Sequence, residues 1–177
     1  MYCACKEGSI ERVRILLGSG AADPCAHDDR DSPLHTACRN GHSEVAFILL
    51  DHGADIYAQN KYGSTPLLET CQYGHTGLLQ ALIDRGVDVC GGKDKYGRTP
   101  CQSGNTTTVQ LLIDHGADIH ARDENGRSPL HMTCNIDVLR TLVDHGADIH
   151  ALDNQGRNTL HYACMGRYID ISFACRH

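Results

Sequence analysis

Twelve histidines and ten cysteines in 177 residues could supply metal ligands, acid–base groups or a disulfide framework, so their spacing decides between these chemistries. A zinc ribbon needs paired ligands of the Cys-x-x-Cys kind, and the chain has no such pair. Instead Cys5, Cys38, Cys71, Cys134 and Cys164 each follow a small Ala or Thr, at recurring intervals. Equivalent residues on stacked helices lie ~8–10 Å apart, beyond the ~7 Å Cα limit for a disulfide. This column is therefore expected to be a row of small buried apolar groups. Cys3, Cys25, Cys90, Cys101 and Cys175 fall outside it, with Cys90 the best candidate for an exposed reactive thiol.

Eleven histidines also recur at equivalent places. They are His35, His131 and His161 after Pro-Leu or Thr-Leu, His42 and His75 after a glycine, His52, His115 and His145 before one, His120 and His150 further on, and His27. A residue repeated in register serves the fold: a ring nitrogen bonded to turn backbone in the first group, a dipole-complementing group at a helix end in the third. No three ligands converge, so no metal or cofactor is expected. The aspartates Asp51, Asp84, Asp114 and Asp144, and Asp55, Asp88, Asp118 and Asp148, form two more columns. Paired-carboxylate catalysis needs one pair with contrasting environments beside a pocket, and neither series singles one out. The second series is expected to bond local backbone N–H groups. Without a nucleophile and its base, the chain reads as a non-enzyme.

The elements that carry these columns repeat. Pro33, Pro66, Pro100 and Pro129 are spaced by 33, 34 and 29 residues, and Thr159 takes the same place 30 later. This period marks a solenoid of stacked units. Ser32-Pro33 opens a first helix, Gly41-His42 breaks it, Ser43–Leu50 forms a second, and Gly53 ends that. The units read as 1–25 (partial, or a cap), 26–58, 59–91, 92–121 (shortened by four between Pro100 and Gly116), 122–151 (shortened by three) and 152–177 (degenerate), together one domain. Losing four residues removes about one helical turn, so the first helix of 92–121 is expected to be a stub over 99–103, with Asn105 and Asn135 capping the following helices. The shortened unit around Gly104 should be the weak joint.

A hydrophobic share of 41% with 21% charged residues fits an ordered soluble chain. A formal charge of −6 offers no basic stripe for nucleic acid. The longest apolar run, Val45–Leu50, is too short to insert in a membrane, and the N-terminus has no leader pattern, so an intracellular setting, cytoplasmic or nuclear, is expected. Ile169, Ile171 and Phe173 give the C-terminal end an apolar character unlike a polar cap, which suggests a longer parent chain or docking there.

The copies Ser32-Pro33-Leu34-His35-Thr36-Ala37-Cys38, Ser128-Pro129-Leu130-His131 and Leu160-His161-Tyr162-Ala163 resemble the ankyrin repeat. So do Asn40-Gly41-His42-Ser43-Glu44-Val45 and the Gly-(Ala or Val)-Asp triplets from Gly53 to Asp148, with a variant at Gly20. The resemblance implies an all-α solenoid of helix-turn-helix units with projecting β-hairpin turns, binding another protein through its concave turn and first-helix surface. The alternative is the recognition part of a larger protein such as a ubiquitin-ligase adaptor, a kinase or a channel.

Residues that vary at the family's contact positions are the candidate partner site. They are Arg39 and Asn40; Lys61, Tyr62, Ser64, Gln72 and Tyr73; Lys95, Tyr96 and Arg98; Asn125 and Arg127; Gln155 and Arg157, with Asp28, Asp29 and Asp31 on the first turn. Tyr62 and Tyr96 are equivalent, and Arg98, Arg127 and Arg157 form one line; both residue types anchor interfaces. The resemblance also makes His120 and His150 candidates for hydroxylation by an intracellular asparaginyl hydroxylase that accepts histidine, with Leu112 and Leu142 at the leucine position that accompanies the target.

Overall fold

A hydroxyl followed by proline starts the inner helices. In the computed structural model, which describes residues 1–26, 31–102 and 105–167, Ser32 and Thr65 are extended and accept from the N–H groups of His35 (3.4 Å) and Leu68 (3.3 Å). Pro33 and Pro66 then occupy a first-turn position whose N–H would have no partner in the helix. The elements are α1 (Tyr2–Glu7), α2 (Ile10–Gly18), α3 (Pro33–Arg39), α4 (Ser43–Asp51), α5 (Pro66–Gln72) and α6 (Thr76–Asp84). A single 3-10 turn at Pro100–Gln102 follows, then α7 (Thr106–Asp114), α8 (Pro129–Met132), α9 (Ile136–Asp144), α10 (Thr159–Tyr162) and a π-turn at Ala163–Arg167.

Two layers result. α1, α3, α5, the 3-10 turn, α8 and α10 stack in sequence as the inner layer, and α2, α4, α6, α7 and α9 as the outer. Each outer helix is nine residues long, while the inner elements shrink from seven residues in α3 and α5 to three in the 3-10 turn and four in α8. The stub expected over 99–103 is that 3-10 turn, and Asn105 and Asn135 cap α7 and α9 through their side-chain oxygens. Gly104 lies outside the described residues. At this joint the buried apolar core divides. One cluster runs from Ala4 to Cys101 and Leu112; a second holds Val109, Ile119, Leu130, Val138, Leu142 and Ala147, and a small third forms around Tyr162.

Histidine joins the layers as its recurrence suggested. His35 Nδ1 accepts from Ser32 N–H (3.2 Å) and its Nε2 reaches Ser64 O (2.8 Å), so one ring bridges two units; His131 repeats this with Ser128 N–H (3.1 Å) and Ala151 O (3.0 Å). In the shortened unit Gln102 does the same work: its Oε1 accepts from Thr99 N–H and its Nε2 donates to Arg127 O, both at 2.7 Å. His42 and His75 reach back to Lys6 O and Arg39 O. That approach is why Gly41 is glycine: its φ is +72°, and a Cβ there would lie 2.5 Å from His75 Nδ1. His52, His115 and His145 each place Nδ1 against the carbonyl four residues back at a helix end. His27 lies outside the described residues.

Two expectations change. Cys5, Cys38 and Cys71 are buried, but Cys134 and Cys164 are exposed, while Cys101 is buried. α8 ends at Met132, so Cys134 has left the helix that would have buried it, and Cys164 lies past α10, in the π-turn. Cys101 replaces a leucine in the column of Leu34, Leu67 and Leu130. Burial pushes the Cys101 and Cys38 thiols up to about 12 and Cys5 to about 11. Cys90 is exposed, as expected; Cys175 lies outside the described residues. The projecting hairpins form no strand among the described residues. Each turn is closed by two backbone bonds, Asn60 N–H to Ser64 O and Gly63 N–H to Asn60 O for example, and further N–H groups, such as those of Tyr62 and Ser64, go to a side chain instead of a ladder. Among the described residues no helix is long and apolar enough to cross a membrane. Ile169, Ile171 and Phe173 lie outside them.

Candidate functional site

The turns are built on one repeated device. Asp94 Oδ1 accepts the N–H groups of Tyr96 and Arg98, both at 2.9 Å, and Oδ2 takes Arg98 Nε at 2.6 Å. Asp123 with Asn125 and Arg127, and Asp153 with Gln155 and Arg157, repeat it. These three aspartates are buried, so each arginine is the counter-charge of a carboxylate in its own turn. The basic line of Arg98, Arg127 and Arg157 is real as a row, but its charge is spent within the fold. At Asp153, burial works to raise the pKa; hydrogen bonds from Tyr162, the Arg157 backbone and guanidinium, and Gln155 outweigh it and hold the carboxyl well below its usual range. The turns are also tied to one another, Lys95 N–H to Tyr62 O (3.0 Å), Glu124 N–H to Tyr96 O (3.0 Å) and Asn154 N–H to Asn125 O (2.9 Å).

The turn at 60–64 departs from the device. Asn60 stands for the aspartate and Ser64 for the arginine. Asn60 Oδ1 still accepts from Tyr62 and Ser64 N–H, so the turn keeps its shape, but the bulk of a guanidinium is missing. A groove of about 530 Å³ opens there, lined by Asp31, Arg39, Tyr62, Ser64, Glu69, Gln72, Tyr73, Tyr96 and Arg98. Its floor is an ion network. Arg39 holds Asp31 through two bonds (2.7 and 3.0 Å) and Glu69 through Nε (2.9 Å), and Asn60 Nδ2 bridges the same two carboxylates (2.9 and 3.3 Å). Hydrogen bonds to Asp31 and then Glu69 raise the Arg39 pKa further. Burial alone would raise that of Asp31; the bonds from Arg39 and Asn60 instead leave it lowered.

Eight of the expected contact residues thus line one groove: Asp31, Arg39, Tyr62, Ser64, Gln72, Tyr73, Tyr96 and Arg98. Lys61 and Lys95 stand at its edge against the Tyr62 ring, and Lys95 also against Tyr96. Tyr62 and Tyr96 are 43% and 44% exposed, so rings on adjacent turns present open surface. Tyr73 stacks on His75 at 6.5 Å between centroids. Asn40 folds its amide back onto Thr36 O (2.8 Å), and Asn125, Arg127, Gln155 and Arg157 belong to later turns beyond the groove. Asp28 and Asp29 lie outside the described residues. Glu69, only 5% exposed, is the groove residue that the sequence did not single out. Its signal was a carboxylate in an inner-helix column otherwise held by Cys3, Thr36, Ser103, Met132 and Tyr162.

His120 and His150 are exposed at their turns, with N–H groups on Asp118 and Asp148 (2.8 Å each), the local bonding expected of that aspartate column and repeated by Asp55 and Asp88. Leu112 and Leu142 are fully buried in α7 and α9, so an enzyme reading leucine and histidine together would first have to open the outer layer. Among the described residues no three His, Cys, Asp or Glu side chains are grouped to hold a metal ion.

No curated protein matches the sequence. A family model described as ankyrin repeats matches in three copies, over residues 1–60, 55–123 and 100–172. With helix pairs stacked in two layers, and matches running through nearly the whole chain, this protein belongs to the ankyrin repeat family.

Proposed function

We propose that this chain is a non-enzymatic recognition module whose binding site for a partner protein is the groove between the 60–64 and 94–98 turns. Ankyrin repeats are in general protein–protein interaction modules; the assignment to this groove is specific to the chain. One observation carries it: the arginine that fills each of the following turns is replaced by Ser64, and the space left is walled by exposed tyrosines over a fixed ionic floor. Interfaces draw their energy from tyrosine and arginine in such partly desolvated pockets. Because Arg39 is locked by two carboxylates and the turns are bonded to each other, the site is largely preformed, which limits the entropy lost on binding. Five exposed free thiols among the described residues fit a reducing intracellular setting.

The test is the double variant Tyr62→Ala/Tyr96→Ala, measured against a binder selected from a random peptide library on the intact chain. Loss of two anchors should weaken binding by on the order of 2 kcal/mol or more, about thirtyfold, with an unchanged melting curve. Undiminished affinity would place the site elsewhere on the array.

A further inference from the structure

Lys61 and Lys95 make no ion pair among the described residues, yet both are held at the groove's edge. Lys61 Nζ lies 4.6 Å from the centre of the Tyr62 ring; Lys95 Nζ lies 4.8 Å from the same centre and 5.0 Å from that of Tyr96. Each ammonium has three N–H donors and no acceptor capacity. A ring face attracts the charge but does not take up those donors as an oxygen would. The acceptors on the groove floor are already committed: both Asp31 oxygens bond Arg39, one bonding Asn60 as well, and the Glu69 oxygens bond Arg39 and Asn60. The edge therefore has an excess of charged donors, in a chain whose formal charge is −6.

Spacing narrows the complement. Both ammonium groups touch one ring, so their separation cannot exceed the sum of 4.6 and 4.8 Å. In an extended segment rising ~3.3 Å per residue, neighbouring side chains point to opposite faces. Residues two apart share a face at roughly 6.6 Å, inside that bound, so two carboxylates on one face of a short segment can meet both ammonium groups without either side chain stretching far. The backbone ties between adjacent turns hold the two lysine anchors at fixed spacing.

We infer that the groove takes an extended acidic segment of a partner protein, in which an Asp/Glu-x-Asp/Glu triplet straddles Tyr62 and sets one carboxylate on Lys61 and the other on Lys95. This rests on the recognition role proposed above. Exposed charges of this kind act through complementarity, selecting the register and speeding encounter, and their effect is screened by salt.

The experiment is selection of a random peptide library on the intact chain, followed by affinity measurement on the wild type and on Lys61→Met/Lys95→Met, which keeps the apolar stems and removes both charges. Both lysines are exposed, and an unchanged melting curve verifies the variant's fold. The expected binders carry the acid-x-acid triplet, lose about tenfold or more in affinity on the methionine variant or when their acids become amides, and weaken as salt rises. Binders that require Tyr62 and Tyr96 but are neutral or basic, or that ignore the methionine substitutions, overturn the acidic assignment while leaving groove recognition intact. Failure to obtain any binder sensitive to Tyr62→Ala/Tyr96→Ala overturns both.

Discussion

Replacing Cys101 by leucine should stabilise the protein, although the residue is already 3% exposed. In a well-packed interior an added side chain costs about 1–3 kcal/mol through forced rotamers. Cys101 borders two hollows, of about 140 Å³ beside Val89 and Pro100 and about 170 Å³ beside Val109 and Val138. Each far exceeds the ~30 Å³ share of one liquid water. Leucine adds a net two heavy atoms, and at ~0.8 kcal/mol per buried methylene the gain has a ceiling near 1.6 kcal/mol. For a chain of this size that is a rise of about 3–6 °C in melting temperature. It would also join the apolar clusters on either side, so hydrogen exchange at the amides of Thr99, Cys101 and Gln102 should slow toward that of residues 44–50 in α4. Cys71→Leu is the control. Cys71 is fully buried inside complete helix α5 and borders neither hollow, so the same addition should destabilise by overpacking. Urea midpoints at matched m-values read both changes. If the two substitutions behave alike, or Cys101→Leu loses more than about 1 kcal/mol, the space at the joint is not usable and the reasoning fails.

Three further outcomes follow from the bonding. His131→Gln should cost less than about 1 kcal/mol, because Gln102 already performs the same two-sided bridge, whereas His131→Ala strands the Ser128 N–H and the Ala151 carbonyl of the next unit at a cost of roughly 2–4 kcal/mol; equal losses in urea titration would refute the bridge. Asp31 and Asp153 have lowered folded-state pKa values, so their contribution is complete above the unfolded value near ~3.9 and is lost as pH falls below it. Unfolding free energy measured from about pH 5 to pH 2 should accordingly fall less steeply in Asp153→Asn than in wild type, and parallel slopes would contradict this. Under native alkylation with mass-spectrometric readout, Cys3, Cys25, Cys90, Cys134 and Cys164 should react fast, while Cys5, Cys38, Cys71 and Cys101, buried and with raised pKa, should be protected; rapid labelling of Cys101 would show the joint open.

The fold was legible wherever one residue type has one local job. Ser32-Pro33 and Thr65-Pro66 announce helix starts by capping, and His35 and His131 recur because a ring with an acceptor and a donor can span two units. Tyr62, Tyr96, Ser64 and Gln72 were reached from their departure from the columns, and the groove gathers them. What escaped was pairing. The pentapeptides Asp94–Arg98, Asp123–Arg127 and Asp153–Arg157 share the pattern Asp-x-x-Gly-Arg, which places a counter-charge on each arginine; residue type alone made those arginines look available. Glu69 escaped because a carboxylate on an inner helix shows its purpose only when Arg39, one unit away, is seen to reach it. Cys134 and Cys164 kept their register in the sequence and lost their burial in space, since a column predicts an environment only while the helix beneath it is complete.

The constant nine-residue length of the outer helices has an evolutionary consequence. Those helices act as a ruler: they hold neighbouring units at one spacing whatever happens opposite. Residues can then be deleted from the inner layer, as before α7 and α9, without losing register downstream. The inner face, where we propose that a partner docks, is in this way the face most open to editing, and an array built on such a ruler can change that surface by trimming one side of a unit while the other side keeps the units in step.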